Sequence, residues 1–142
     1  MSFKLGLNLK RKNIRYGTNI CFSPLIMMDD LINKPYSRRW FPLGGFQKFV
    51  ASIHNTSFIR KEINNISNSF LLEFVNHEGK SLKREKILSP NASLFINPLN
   101  DEQLKNFFGE KGGWCMVTAN TFVFNAYYFS MTKKQIGGDH AY

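Results

Sequence analysis

The chain has 142 residues, a formal net charge of +9, fourteen phenylalanines and two cysteines. That length fits one domain around one core, and no run of eighteen apolar residues is present to span a membrane. The two thiols, Cys21 and Cys115, lie far apart and supply neither a disulfide framework nor the four closely placed ligands of a zinc site.

The apolar pattern has period two through most of the chain, which predicts strands. Phe3, Leu5, Leu7 and Leu9 alternate with Lys4, Gly6 and Asn8 as a first strand, and 14–22 reads as a second. The segment 25–32 fits a strand or a short helix equally. Pro35, Pro42 and Gly44-Gly45 read as punctuation of a loop that carries Trp40 and Phe41. Residues 46–54 read as a strand closed by a turn at Asn55-Thr56-Ser57.

The clearest unit is "SFLLEFVNHEGKSLKREKIL". Phe70, Leu72 and Phe74 alternate with Leu71, Glu73 and Val75, Gly79 serves the turn, and the return strand 82–88 carries Lys83, Arg84, Glu85 and Lys86. Charges of that density mark a protected sheet edge. A short strand over 92–96 follows. One helix is predicted, with Asn100 as its cap, Asp101 and Glu102 in the first turn and Gly109 as its stop. The last apolar stretch, "WCMVTANTFVFNAYYF", reads as paired core strands with both faces covered. Asp139-His140 reads as a polar tail.

The rhythm of "VASIHNTSFIRKEINNISNSFLLEFVNHEGKSLKREKILSPNASLFI" resembles an immunoglobulin- or fibronectin-III-like β-sandwich, with turns every 8–12 residues. The Cys…Trp…Cys order of antibody domains is missing, because Trp114 adjoins Cys115. The resemblance implies a fold class and no functional residues. The expected architecture is therefore a single all-β sandwich over residues 1–142 with one short helix near 101–108.

Charge is placed unevenly. Residues 1–61 hold eleven Lys/Arg and two Asp/Glu, whereas 62–142 hold eight of each. The excess lies in Lys10, Arg11, Lys12 and Arg15, in Arg38 and Arg39, and in Arg60-Lys61, a pattern that fits an anionic partner. In "YSRRWF", basic residues alternate with aromatics, as base stacking with phosphate neutralisation requires. Lys10, Arg11, Lys12, Arg15, Arg38, Arg39, Trp40 and Phe41 are thus the candidate contacts for an anionic partner.

Two chemistries compete with binding. Trp114-Cys115 resembles the Trp-Cys of papain-like peptidases, where a helix follows the nucleophile. Here Val117, Thr118, Thr121 and Val123 predict strand, so a buried structural thiol is expected. His54, His77, Asp139 and His140 are the possible metal ligands, but they lack paired spacing such as H-x3-H. The sequence reading is therefore a non-enzymatic binding or assembly module without cofactor or metal. A protein partner or a second copy is its expected contact, and single-stranded nucleic acid is the alternative. No apolar leader opens the chain, so no secretory signal is expected.

Overall fold

The computed structural model describes residues 3–11, 14–22, 37–55, 67–120, 124–132 and 135–141. These residues form ten strands and one helix: β1 (Phe3–Arg11), β2 (Ile14–Phe22), β3 (Ser37–Leu43), β4 (Phe49–Asn55), β5 (Asn68–Asn76), β6 (Ser81–Leu88), β7 (Ser93–Ile96), α1 (Glu102–Phe108), β8 (Gly113–Ala119), β9 (Phe124–Met131) and β10 (Gln135–His140). The larger sheet runs β1-β2-β10-β9-β4-β7 and the smaller β3-β8-β5-β6. Neighbours are antiparallel throughout, except that β10 runs parallel to β2.

The all-β sandwich expected from the sequence is present, and its winding is a nested one. β5 pairs with β6, β4 with β7 and β3 with β8. The chain thus doubles back around one hairpin while its strands alternate between sheets, the double Greek-key path of a jelly roll. The consecutive strands β3 and β4 lie in different sheets and face each other across the core. Turn rhythm sets how many strands form, whereas partners depend on where the crossovers lead.

Alternation explains the core. Phe70, Leu72 and Phe74 of β5, Phe41 and Leu43 of β3, and Cys115, Val117 and Ala119 of β8 all point inward against Ala51, Ile53, Phe124 and Ala126 of the larger sheet. The rings of Phe70 and Phe124 meet edge to face at 5.4 Å, and those of Phe74 and Phe108 at 6.1 Å. Each fully buried phenylalanine contributes roughly 1.5–3 kcal/mol by transfer from water. Helix α1 closes one end of the sandwich through Leu104 and Phe108.

Four sequence expectations are corrected. Residues 37–43 form β3 rather than a loop, and Pro42 is accommodated because β3 is an edge strand, where a missing N–H costs no ladder bond. The helix cap is Asp101, whose Oδ1 accepts from the Leu104 N–H at 3.0 Å, one residue later than expected. Asp139 and His140 belong to β10, not to a tail. Gly138 makes this possible, since a Cβ there would lie 2.6 Å from the Phe129 ring and 2.8 Å from the Tyr128 carbonyl. Finally, only one face of β8 is covered, and Trp114 is 39 % exposed. The segment 25–32 lies outside the described residues.

Three buried asparagines tie the turns to the sheets. Asn55 is 1 % exposed, and its amide donates to the Leu88 carbonyl at 2.8 Å and the Ser89 carbonyl at 3.0 Å. Its Oδ1 accepts from the Asn68 amide at 2.8 Å. Asn76 caps the β5–β6 turn by accepting from the N–H groups of Glu78 and Lys80, both at 3.0 Å.

Candidate binding surface

The period of two sends alternate residues of the smaller sheet outward, and strand register arranges them in rows. One row reads Arg38, Thr118, Leu71, Glu85 from β3 to β6. The next reads Trp40, Met116, Glu73, Lys83, and the third Pro42, Trp114, Val75, Ser81. Trp40 and Trp114 are therefore diagonal neighbours on adjacent strands, with Cβ atoms roughly 7–8 Å apart for such a pair. Trp40 is 47 % exposed, and Ile87, opposite Ser69 on this face, is 77 % exposed.

The first row also bounds a shallow concavity of about 380 Å³, with Arg38 at one side and Glu85 at the other above Leu71 and Thr118. Lys83 reaches Glu73 at 3.4 Å within the second row. Among the described residues of this face, Arg38 and Lys83 balance Glu73 and Glu85, in a chain of net charge +9. Exposed tryptophan beside aliphatic and charged side chains is the composition of a contact surface.

The same alternation divides the basic–aromatic group read from the sequence. Arg38 and Trp40 point outward, whereas Arg39 and Phe41 point into the sandwich. Phe41 is 0 % exposed and offers no face to a ligand. The Arg39 guanidinium lies 5.6 Å over the Phe124 ring and donates to the Arg38 carbonyl at 2.8 Å, and burial lowers its pKa. Lys10 and Arg15 are cross-strand partners near one end of the β1–β2 pair, and Arg11 opposes Ile14, at the far edge of the other sheet. Lys12 and residues 60–61 lie outside the described residues. Trp114 and Met116 lie on the outer face of β8, whereas the sequence assigned them to the core.

Cys115 is 0 % exposed, in register between Phe41 and Phe74. Burial, reinforced by the Glu73 charge, pushes its thiol far above the ordinary range and holds it protonated. Such a thiol fills space and is a poor nucleophile.

The histidines sit on separate elements. The His54 ring accepts or donates through Nδ1 to the Ser93 hydroxyl at 2.6 Å and through Nε2 to the Ser52 hydroxyl at 3.2 Å, on the outer face of the larger sheet. His77 lies at the β5–β6 turn, 3.8 Å from Glu78, and His140 lies on β10, 3.9 Å from Asp139. Among the described residues no three His, Cys, Asp or Glu side chains gather into a metal-binding group. No helix among them is long and apolar enough to cross a membrane.

No protein-family model, curated protein or solved structure matches this chain. The outer face of the smaller sheet stands as the candidate binding surface on its geometry alone.

Proposed function

We propose that the chain is a non-enzymatic binding and assembly module that engages a protein partner through the outer face of its smaller sheet. The observation that carries this reading is the exposure of both of its tryptophans, Trp40 and Trp114, side by side on that one face. Large aromatic rings exposed to water gain most when a partner covers them, and tryptophan is enriched among residues that dominate interface energies. The charged edge strand β6 opposes edge-to-edge pairing and favours docking through the face. The β1–β2 pair, with Lys10, Arg11 and Arg15 at the end where Arg11 opposes Ile14, is the contact for an anionic partner.

A second reading is favoured by the pairing of Arg38 with Trp40: single-stranded nucleic acid, with bases stacked on the tryptophans and phosphates near Arg38. Light scattering on the eluting protein, together with titration of labelled oligothymidylate, separates the two. The first reading expects association that persists at 0.15 M salt and is lost in the Trp40→Ala/Trp114→Ala variant. The second expects oligonucleotide binding that falls steeply with salt. Association and binding that are both indifferent to the two tryptophans would sink the surface under either reading.

A further inference from the structure

We infer that the partner on this face is a second copy of the chain, docked about a two-fold axis so that Arg38 of each copy meets Glu85 of the other. The inference rests on the reading of the face as the contact surface and names its occupant.

The described residues of the face carry no net charge. A strongly charged partner of either sign finds no complement in a face whose two basic and two acidic side chains cancel. A copy of itself does, provided that unlike charges come opposite one another. The rows meet that condition. Arg38 and Glu85 stand at opposite edges of one row, on β3 and β6, with Trp40 and Lys83 at the same edges of the next.

A two-fold axis parallel to the strands, between β8 and β5, lays β3 of one copy over β6 of the other and keeps each row facing itself. Arg38 then meets Glu85 twice and Trp40 meets Lys83 twice, as an isologous contact demands. The first is an ion pair and the second a cation–π contact. In the middle, Trp114 covers Val75 and Thr118 covers Leu71, while Met116 lies over Glu73, which keeps its Lys83 partner.

Sheet rotation does not undo the match. Packed sheets turn by about 30° relative to each other, and β3 and β6 each lie roughly 7 Å from the axis. Edge positions therefore slip by about 4 Å, near one residue, which arginine and lysine side chains span.

Area sets the strength. Four strands at strand spacing and about eight residues of length give roughly 500 Å² per copy, the low end for a specific interface. The dimer is accordingly weak and concentration-dependent, with a Kd on the order of micromolar to tens of micromolar.

Sedimentation equilibrium of the whole chain tests this with Arg38→Glu, Glu85→Arg and the double exchange, all at exposed positions. Each single exchange is expected to weaken the dimer about tenfold or more, by setting like charges opposite, and the double exchange to restore it to within about threefold. A double variant no tighter than the singles overturns the two-fold pairing. A wild-type chain that stays monomeric at about 1 mM overturns it as well, since that is far above the Kd that this area allows. The Trp40→Ala/Trp114→Ala variant separates the two claims. If it weakens a dimer that charge exchange fails to restore, the surface stands and only this pairing falls.

Discussion

Replacing Asn55 by alanine isolates how much of the stability lies in one buried amide. The side chain is 1 % exposed, and its hydrogen bonds include those to the Leu88 carbonyl, the Ser89 carbonyl and the Asn68 amide. Ser89 is exposed, so water replaces its lost donor, whereas the Leu88 carbonyl and the Asn68 amide remain buried. Taking this partner from two such groups costs about 1–3 kcal/mol each, giving roughly 2–6 kcal/mol in all. That is a large share of the roughly 5–15 kcal/mol that holds a typical domain folded. Urea unfolding followed by circular dichroism measures it, and with a slope of about 2 kcal/mol/M the midpoint should fall by roughly 1–3 M. Adding Asn68→Ala to the variant should cost less than the sum of the two single substitutions, because the two residues share a hydrogen bond. A loss below about 0.5 kcal/mol, the size of an ordinary surface substitution, would refute the reasoning.

Asp101 accepts from Arg84 at 2.5 and 3.1 Å, and these bonds, helped by the Leu104 N–H, hold its carboxyl at about 2. A depressed folded pKa stabilises above the unfolded value near 4 and loses that contribution as pH falls towards 2. With the carboxylate a third open to solvent, the loss should be about 1 kcal/mol. Asp101→Asn, which keeps the helix cap, should show it at pH 7 and match wild type near pH 2 in paired unfolding curves; an unchanged gap between the two proteins across that range would refute it. Cys115 should react with an aromatic disulfide reagent only as fast as the fold opens, and rapid labelling of the native protein would contradict its burial. Gly138→Ala should destabilise by about 1–3 kcal/mol, because the new methyl meets Phe129 and the Tyr128 carbonyl. Thermal melts check this, and an unchanged midpoint would mean that β10 does not pack as described.

Sequence pattern revealed most where one physical rule acted alone. The alternation in β5 named Phe70, Leu72 and Phe74 as core, and the charges of β6 marked it as an edge. It failed where local signals opposed the tertiary outcome. Two prolines and two glycines around residues 35–45 hid β3, whose edge position tolerates Pro42. Gly137-Gly138 looked like a release into a tail, yet a glycine is what the close contact with Phe129 requires. The candidate surface was half legible for the same reason. Once residues 37–43 are a strand, period two separates Arg38 and Trp40 from Arg39 and Phe41. Nothing local indicates that the outer side of β8 lies uncovered, so Trp114 and Met116 read as core until the partner sheet is placed.

Because Trp40 and Trp114 are the only tryptophans in the chain, intrinsic fluorescence reports on the proposed surface directly. The decisive measurement is acrylamide quenching of that emission as protein concentration rises through the association range. The account predicts red-shifted, readily quenched emission in dilute protein, and blue-shifted, protected emission once the face is covered. Emission that is already protected in the monomer, or that stays equally quenchable while the protein associates, would contradict it.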